Sequence, residues 1–311
     1  MRILQIQTFH YYRGGDSTYM FNLSGLLESR GHKVVHFAMR HPDNLPSAQE
    51  EYFVSEVDFQ RLLGRRTPAA VLRVLGRSIY SAEARRNISR LIDDLRPEIA
   101  HIHNCHSHLT TSILSPLRRA GIPIVWTLHD YRLVCPNSNF LSGYEICERC
   151  LPNRFHHIVP RKCKKESAGA SFVAMAATVY DRLTRVPSRV QRFIAPSRFL
   201  AGKLAEGGFD PAKITTLPNF VDVDAFHPRP EGDYALYFGR LSREKGVDIL
   251  LKAMAHAGGG KLKILGDGPA RPGLERLADE LGLGNVEFLG YRSGDELKES
   301  LSGAQFVVLP S

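Results

Sequence analysis

The sequence predicts an α/β protein of two doubly wound domains, and three observations carry that prediction. Short apolar runs alternate along the chain with longer stretches whose apolar residues recur at helical spacing, which is the pattern of βαβ units on a parallel sheet. Glycine-rich turns, Gly14-Gly15 and Gly239-Arg240, follow two of the apolar runs. The chain has 311 residues and one Pro- and Gly-rich break, His227-Pro228-Arg229-Pro230-Glu231-Gly232-Asp233, so it is too long for one ordinary domain and carries a natural linker.

In order, residues 3–7 open the chain as a strand, and Tyr19, Met20, Leu23, Leu26 and Leu27 share one helical face. Asp16 or Ser17 is the expected N-cap of that helix and Gly31 its C′ residue. Residues 33–38 form the next strand. A helix over 82–95, a strand over 99–103, a helix over 110–120 and a strand over 123–128, ending in His129-Asp130, continue the alternation. Residues 131–170 break it with an irregular insertion holding Cys135, Cys147, Cys150, Cys163 and the basic cluster Arg161-Lys162-Lys164-Lys165. The rhythm resumes as helix 168–183, strand 192–195, helix 197–206 and strand 214–217. An N-terminal domain is therefore expected over 1–218, a linker over 219–233 and a second domain over 234–311. The second reads as strand 234–238, helix 247–256, strand 261–265, helix 274–281, strand 286–289, helix 295–301 and strand 305–309. Ligands of open α/β sheets sit beyond the carboxyl ends of strands. A chain that stops at such an end lacks the loop and helix that complete a site, so a C-terminal truncation is expected.

Hydrophobic residues make up 43% and charged residues 23% of the chain, which is globular usage and excludes a disordered or collagenous chain. No apolar run reaches the roughly 18 residues a membrane span needs, the best being residues 168–180. The first residues are too short an apolar stretch for a signal peptide, so a cytoplasmic protein is expected. Lys and Arg number 41 against 32 Asp and Glu, a net charge of +9 that favours anionic partners such as phosphates, nucleotides or lipid headgroups. Nothing in the sequence matches a nucleic-acid reading motif, so no nucleic-acid partner is expected. Residues 61–77 mix arginines with aliphatics, as either an interfacial helix on an anionic membrane or a solvated helix would.

Two strand-to-helix turns have the means to hold an anion, because amides at a helix N-terminus and the helix dipole both favour negative charge. Gly14-Gly15 allows close approach of a ligand but lacks the G-x-G-x-x-G spacing of a dinucleotide fold. Gly239-Arg240 adds a guanidinium and, before the next helix, the ammonium of Lys245; with Gly266-Asp267-Gly268 after the neighbouring strand, this suits a diphosphate. Five cysteines, with no secretory signal, are expected to be reduced or metal-bound. Cys147-Glu148-Arg149-Cys150 has zinc-ligand spacing, with Cys135 and Cys163 as third and fourth ligands, and free thiols are the alternative. His101, His103, His106 and His108 straddle a strand end; one or two are expected to line an acceptor site and the rest to be solvated.

These residues resemble the retaining glycosyltransferases of family 4, also called group 1, whose GT-B fold consists of two Rossmann-like doubly wound domains. The resemblance runs through Gly14-Gly15, Arg30-Gly31-His32-Lys33-Val34, His101-Ile102-His103-Asn104, Trp126-Thr127-Leu128-His129-Asp130-Tyr131 and Leu217-Pro218-Asn219-Phe220-Val221-Asp222. It continues through Tyr237-Phe238-Gly239-Arg240-Leu241-Ser242-Arg243-Glu244-Lys245-Gly246, Gly266-Asp267-Gly268-Pro269, Val286-Glu287-Phe288-Leu289-Gly290 and Val307-Val308-Leu309-Pro310-Ser311. It implies sugar transfer from a nucleotide-sugar donor, without a catalytic metal and with the anomeric configuration kept, to a saccharide or lipid-linked acceptor in cell-surface polysaccharide or glycolipid synthesis. Gly15, Arg240, Lys245, Gly266 and Gly268 would be donor-side, Gly14, His103 and Asn104 acceptor-side, and His129 the catalytic imidazole facing the transferred sugar. The family's pair of glutamates after the last strand and its crossing helix have no counterpart here, so the second domain is expected to be incomplete and the chain weakly active or inactive. A non-catalytic nucleotide- or sugar-binding fragment and a nucleotide-sugar epimerase of the same architecture are the alternatives.

Overall fold

The computed structural model describes residues 1–56, 76–106, 108–143, 145–229 and 231–311. They form two compact units, Met1–Phe220 and Val221–Ser311.

In the first unit β1 (Arg2–Gln7), α1 (Gly15–Ser29) and β2 (Lys33–Phe37) make the opening βαβ unit. They are followed by α2 (Ala82–Leu95), β3 (Ile99–Asn104), α3 (Leu114–Arg119) and β4 (Ile124–Thr127). A two-stranded hairpin, β5 (Leu141–Ser142) with β6 (Glu145–Ile146), and a 3₁₀ turn, Phe155–Ile158, lie in the insertion. The unit closes with α4 (Ala168–Leu183), α5 (Val186–Arg189), β7 (Arg192–Ala195), α6 (Arg198–Glu206) and β8 (Ile214–Thr216). Six strands pair in parallel in the order β2-β1-β3-β4-β7-β8. Helices cover a parallel sheet on its faces, so its strands bury apolar side chains on both sides; Leu4, Ile6, Ile102, Ile124, Trp126 and Phe193 are fully buried in one core. The strand order reverses between β1 and β3, and ligands of such sheets bind beyond the carboxyl ends of the strands at that reversal.

Two local expectations differ from the structure. Helix α1 is capped by Gly14, not by Asp16 or Ser17: the Ser17 hydroxyl, a turn inside, accepts from the amides of Arg13 (3.0 Å) and Gly14 (3.2 Å). The single helix expected over 110–120 is a 3₁₀ turn, Thr111–Ile113, leading into α3. There the hydroxyls of Thr110 and Ser112 compete for backbone groups, Thr110 Oγ1 accepting from Ser81 N at 3.0 Å and Ser112 Oγ donating to Ser81 O at 2.8 Å.

The second unit contains β9 (Tyr234–Phe238), α7 (Val247–Ala257), β10 (Lys261–Leu265), α8 (Arg271–Glu280), β11 (Val286–Gly290), α9 (Gly294–Ser302) and β12 (Ala304–Val307). Its strands are parallel in the order β11-β10-β9-β12, so the chain reverses direction across the sheet between β9 and β12. Tyr237, Leu241, Leu251, Leu262 and Ile264 form its main core.

Among the described residues no helix is long and apolar enough to cross a membrane, and the apolar stretch 168–180 is part of α4. The arginine-rich segment 61–77 lies almost wholly outside the described residues; Arg77 donates to Ser55 O (2.7 Å) and pairs with Glu83.

The first unit buries an unusual number of imidazoles. Burial lowers the pKa of His36 to about 3 and those of His101 and His108 to about 4, and holds His103 and His106 well below the ordinary value. The folded protein therefore refuses protons that the unfolded chain takes up below about pH 6.5, so stability present at neutral pH is lost as pH falls toward 4. Each such histidine contributes a slope of about 1.4 kcal/mol per pH unit within its own window. Asp181, raised to about 6 by burial, has the opposite sign and offsets one of them between pH 6 and 4. Urea midpoints measured at pH 7.5, 6 and 5 are expected to fall steeply; a flat series would contradict the buried, neutral state of these rings.

Candidate functional site

At the carboxyl ends of β1, β3 and β4, polar side chains converge where a parallel sheet ordinarily carries only aliphatics. Gln5 and Gln7 lie two residues apart on β1, and Gln5 pairs in register with His101 of β3. His103 Nε2 meets Gln5 Oε1 at 2.7 Å, and His103 Nδ1 meets His129 Nε2 at 3.2 Å, the two rings stacked with centroids 5.5 Å apart. His101 Nε2 bonds Thr127 Oγ1 at 2.7 Å. Tyr19, reaching down from α1, sets its ring edge-on to His129 (5.3 Å) and His103 (5.7 Å), and Phe220 packs on Tyr19.

Asp16, in the first turn of α1, ties this floor to the glycine turn. Its Oδ2 accepts from Gln7 Nε2 (2.9 Å) and Asn104 Nδ2 (3.4 Å), linking α1 to the ends of both strands at the reversal. Its Oδ1 accepts from the Ser17 amide at 2.9 Å. Gly14 and Gly15 are exposed above it, and a Cβ built on Gly15 would meet nothing within 4 Å, so a ligand can approach the helix N-terminus closely there. Burial lowers the pKa of His129, with the nearby Asp16 charge partly opposing it, so His129 is a half-buried, neutral imidazole at pH 7. The site can therefore offer a neutral acid-base or hydrogen-bonding group beside a carboxylate and a helix N-terminus.

His103, expected to face an acceptor, is only 2% exposed and stands behind His129. His101 and His108 are buried as well, and His106 packs on Trp126 under the neighbouring charges of Arg132 and Lys164. The expected solvated members of this histidine set are thus not solvated: they lie on a central strand and the turn after it, covered by α1, α2 and the insertion.

In the second unit the turns after β9 and β10 are sewn together backbone to backbone. Gly239 N donates to Leu265 O (2.9 Å), Leu241 N to Asp267 O (2.9 Å) and Gly266 N to Gly290 O (2.7 Å). Gly266 takes φ +137°, and a Cβ there would lie 1.8 Å from Gly239 O, so only glycine permits this approach. The amides of Gly266 and Gly268 are thus committed inside the protein, the latter to Asp267 Oδ1 at 2.7 Å. These glycines shape the turn. Arg240 is exposed and Lys245 half-buried on the loop leading into α7. Burial raises the Glu244 carboxyl, but the Ser242 hydroxyl bonded to it at 2.6 Å and the charges of Arg240 and Lys245 outweigh this and hold it below its ordinary range. Both cations therefore act on one short loop, at the carboxyl end of the strand where the sheet reverses.

The cysteines form a looser group. Cys135 and Cys150 are buried, Cys147 and Cys163 partly exposed, and all are free thiols. Burial, with the other three cysteines adding to it, raises Cys150 to about 12. Among the described residues no three His, Cys, Asp or Glu side chains gather to hold a metal ion, so the zinc alternative raised for Cys135, Cys147, Cys150 and Cys163 gains no support from the structure. The insertion is fastened by part-buried polar contacts: Arg132 Nη1 donates to Pro136 O (2.5 Å), Lys164 Nζ to Asn137 O (3.4 Å) and Arg182 Nη2 to Leu133 O (3.2 Å). Lys164, read as part of a solvated basic cluster, turns inward here.

Sequence reasoning missed Gln5, Gln7, Asp16 and Tyr19. The signal was present in Gln5 and Gln7, since a polar side chain at alternating positions of a central parallel strand is the informative exception to apolar burial. Their partners, on β3, β4 and α1, are distant in sequence.

Known proteins share parts of this chain's sequence and its fold. Residues 13–225 match the family model described as Glycosyltransferase Family 4, and residues 223–311 match the model Glycosyl transferases group 1. The chain is 33% identical over 120 residues to a D-inositol 3-phosphate glycosyltransferase of Mycobacterium ulcerans, covering 33% of this chain and 26% of that protein. It is 40% identical over 81 residues to an alpha-D-kanosaminyltransferase of Streptomyces kanamyceticus, covering 24% of this chain and 21% of that protein. The matched stretches thus span about a quarter or less of these relatives' own length. Among solved structures, that of Anabaena HepE in complex with UDP and glucose is similar with a TM-score of 0.61 at 14% identity, over 99% of this chain and 74% of that one, a likeness of fold.

Proposed function

We infer the reaction from the premise that this chain belongs to Glycosyltransferase Family 4 and has the α/β fold of the GT-B glycosyltransferases: it transfers a sugar from a nucleotide-sugar donor to an acceptor hydroxyl. The observation that carries this reading is the double turn of the second unit, where Gly239, Gly266 and Gly268 let two loops close on each other and present Arg240 and Lys245 from one short segment. A departing nucleoside diphosphate gains negative charge as the glycosidic bond breaks, and fixed cations stabilise that charge most in the transition state. Arg240 suits bidentate contact with phosphate oxygens and Lys245 a point charge at the leaving oxygen. The N-terminus of α7, directly after Lys245, adds its dipole.

The first unit has groups of its own that suit a sugar. Gly14 and Gly15 leave room for a hydroxylated ligand at the α1 N-terminus, Asn104 borders it, and the neutral His129 imidazole hydrogen-bonds a hydroxyl of the transferred sugar as positive charge develops at its anomeric carbon. Transfer is read as proceeding with retention of configuration, onto a saccharide or lipid-linked acceptor of a cell-surface polysaccharide or glycolipid. A nucleotide-sugar donor suits a cytoplasmic site, and the net charge of +9 suits peripheral contact with an anionic membrane.

A thermal-shift panel of UDP, GDP, ADP and dTDP, each beside its nucleoside, tests the reading. Ligand that binds only the folded state raises the melting temperature by mass action. At least one diphosphate is expected to stabilise the chain while its nucleoside does not; equal effects of nucleoside and diphosphate, or no effect of any, would count against the phosphate loop.

A further inference from the structure

One feature of the first unit lies beneath the proposed sugar contact: a chain of hydrogen bonds running Gln5, His103, His129 through the buried interior. Gln5 is 1% and His103 2% exposed, and burial, with the neighbouring rings of His101 and His129 adding to it, keeps the His103 imidazole neutral. A neutral imidazole has one N–H donor and one bare acceptor nitrogen, and which is which follows from what each nitrogen meets. The carbonyl oxygen of Gln5, 2.7 Å from His103 Nε2, can only accept, so that nitrogen carries the proton. His103 Nδ1 is then bare and accepts from His129 Nε2 at 3.2 Å. A neutral His129 whose proton sits on Nε2 has a bare Nδ1.

We propose that Gln5 and His103 are positioning residues that hold His129 in its Nε2–H tautomer, so that His129 presents an acceptor nitrogen to the ligand and selects a sugar with a hydroxyl donor at that point. An O-methyl, deoxy or carboxylate group there cannot donate and leaves the imidazole unpaired, a mismatch of roughly tenfold or more in kcat/KM. The selectivity rests on the reading of His129 as the sugar contact, while the tautomer is a property of the unliganded chain. Tyr19 and the stacked His103 ring restrict the rotation of His129, so the nitrogens cannot readily exchange places.

The experiment is two-bond ¹⁵N–¹H imidazole spectroscopy of the full chain labelled in histidine, at pH 7.5 without ligand. His129 and His103 are assigned from the signals lost in His129→Gln and His103→Gln. Both are expected as Nε2–H tautomers. In Gln5→Met, which keeps length but removes the acceptor, the His129 signals are expected to move toward the average of the two tautomers. Unchanged binding of the diphosphate chosen by the thermal panel, and a single cooperative melting transition, show that Gln5→Met remains folded. A wild-type His129 protonated on Nδ1, the result a reversed Gln5 amide produces, overturns the proposal, as does a Gln5→Met spectrum identical to wild type. Failure of His129→Gln to slow sugar transfer overturns the sugar-contact reading and the selectivity built on it, and leaves the tautomer itself standing, so the two failures are distinguishable.

Discussion

Relative to whatever rate of sugar transfer the unaltered protein shows, Lys245→Ala is expected to lower kcat by about 100- to 1,000-fold, the loss typical of removing one group that meets charge developing in a transition state. Lys245 sits half-buried between Glu244 and the start of α7, which keeps its charge close to the loop. The donor's KM should move less than kcat, because the diphosphate carries less charge at the leaving oxygen in the ground state than in the transition state. Lys245→Arg keeps the charge and should recover part of the rate. Nucleoside diphosphate release, measured with the donor whose nucleotide stabilises the chain, reads both constants. A Lys245→Ala enzyme with raised KM and normal kcat would show that the residue only holds the donor.

A pair of glycine substitutions separates shape from contact with nearly opposite outcomes. Gly266→Ala should destabilise the second unit by about 3–5 kcal/mol, since the methyl overlaps Gly239 O, a backbone atom that cannot swing away, in a conformation that L residues rarely adopt. Gly15→Ala should leave stability unchanged or slightly higher, because its Cβ meets nothing and alanine is the better helix residue. The same methyl stands where a ligand must approach α1, so activity is expected to fall at least tenfold in a stable protein. Urea unfolding and initial rates on the two variants check this together. Normal activity in Gly15→Ala would remove the first glycine turn from the site.

These contrasts show what the sequence could and could not reveal. Period and punctuation were enough for α2, α4, β7, β9 and β10, whose bounds match their expected ranges, because each is delimited by its own cap or turn residues. The start of α1 was misplaced: Gly14 caps the helix, and Asp16, a good cap in isolation, bonds Gln7 and Asn104 across the sheet. The loop that carries Arg240 and Lys245 was legible because its residues are contiguous and its glycines answer a local steric demand. The glycines' own part was less so: their amides bond within the protein, a fact set by the neighbouring strand. The histidines were recognised as a group, yet their burial and the Gln5–His103–His129 chain depend on register among β1, β3 and β4, which no local pattern records. The cysteine spacing raised a metal alternative that gains no support from the described residues.

Isothermal titration of UDP, GDP, ADP and dTDP into the wild-type chain and into the Arg240→Ala, Lys245→Ala double variant addresses the central claim most directly. Two charge-assisted contacts at about 1.5–3 kcal/mol each are at stake. The account predicts that one diphosphate binds the wild type and that the double variant binds it at least 100-fold more weakly with its melting temperature unchanged. Equal affinity in both proteins would contradict it and move the donor's phosphates away from this loop.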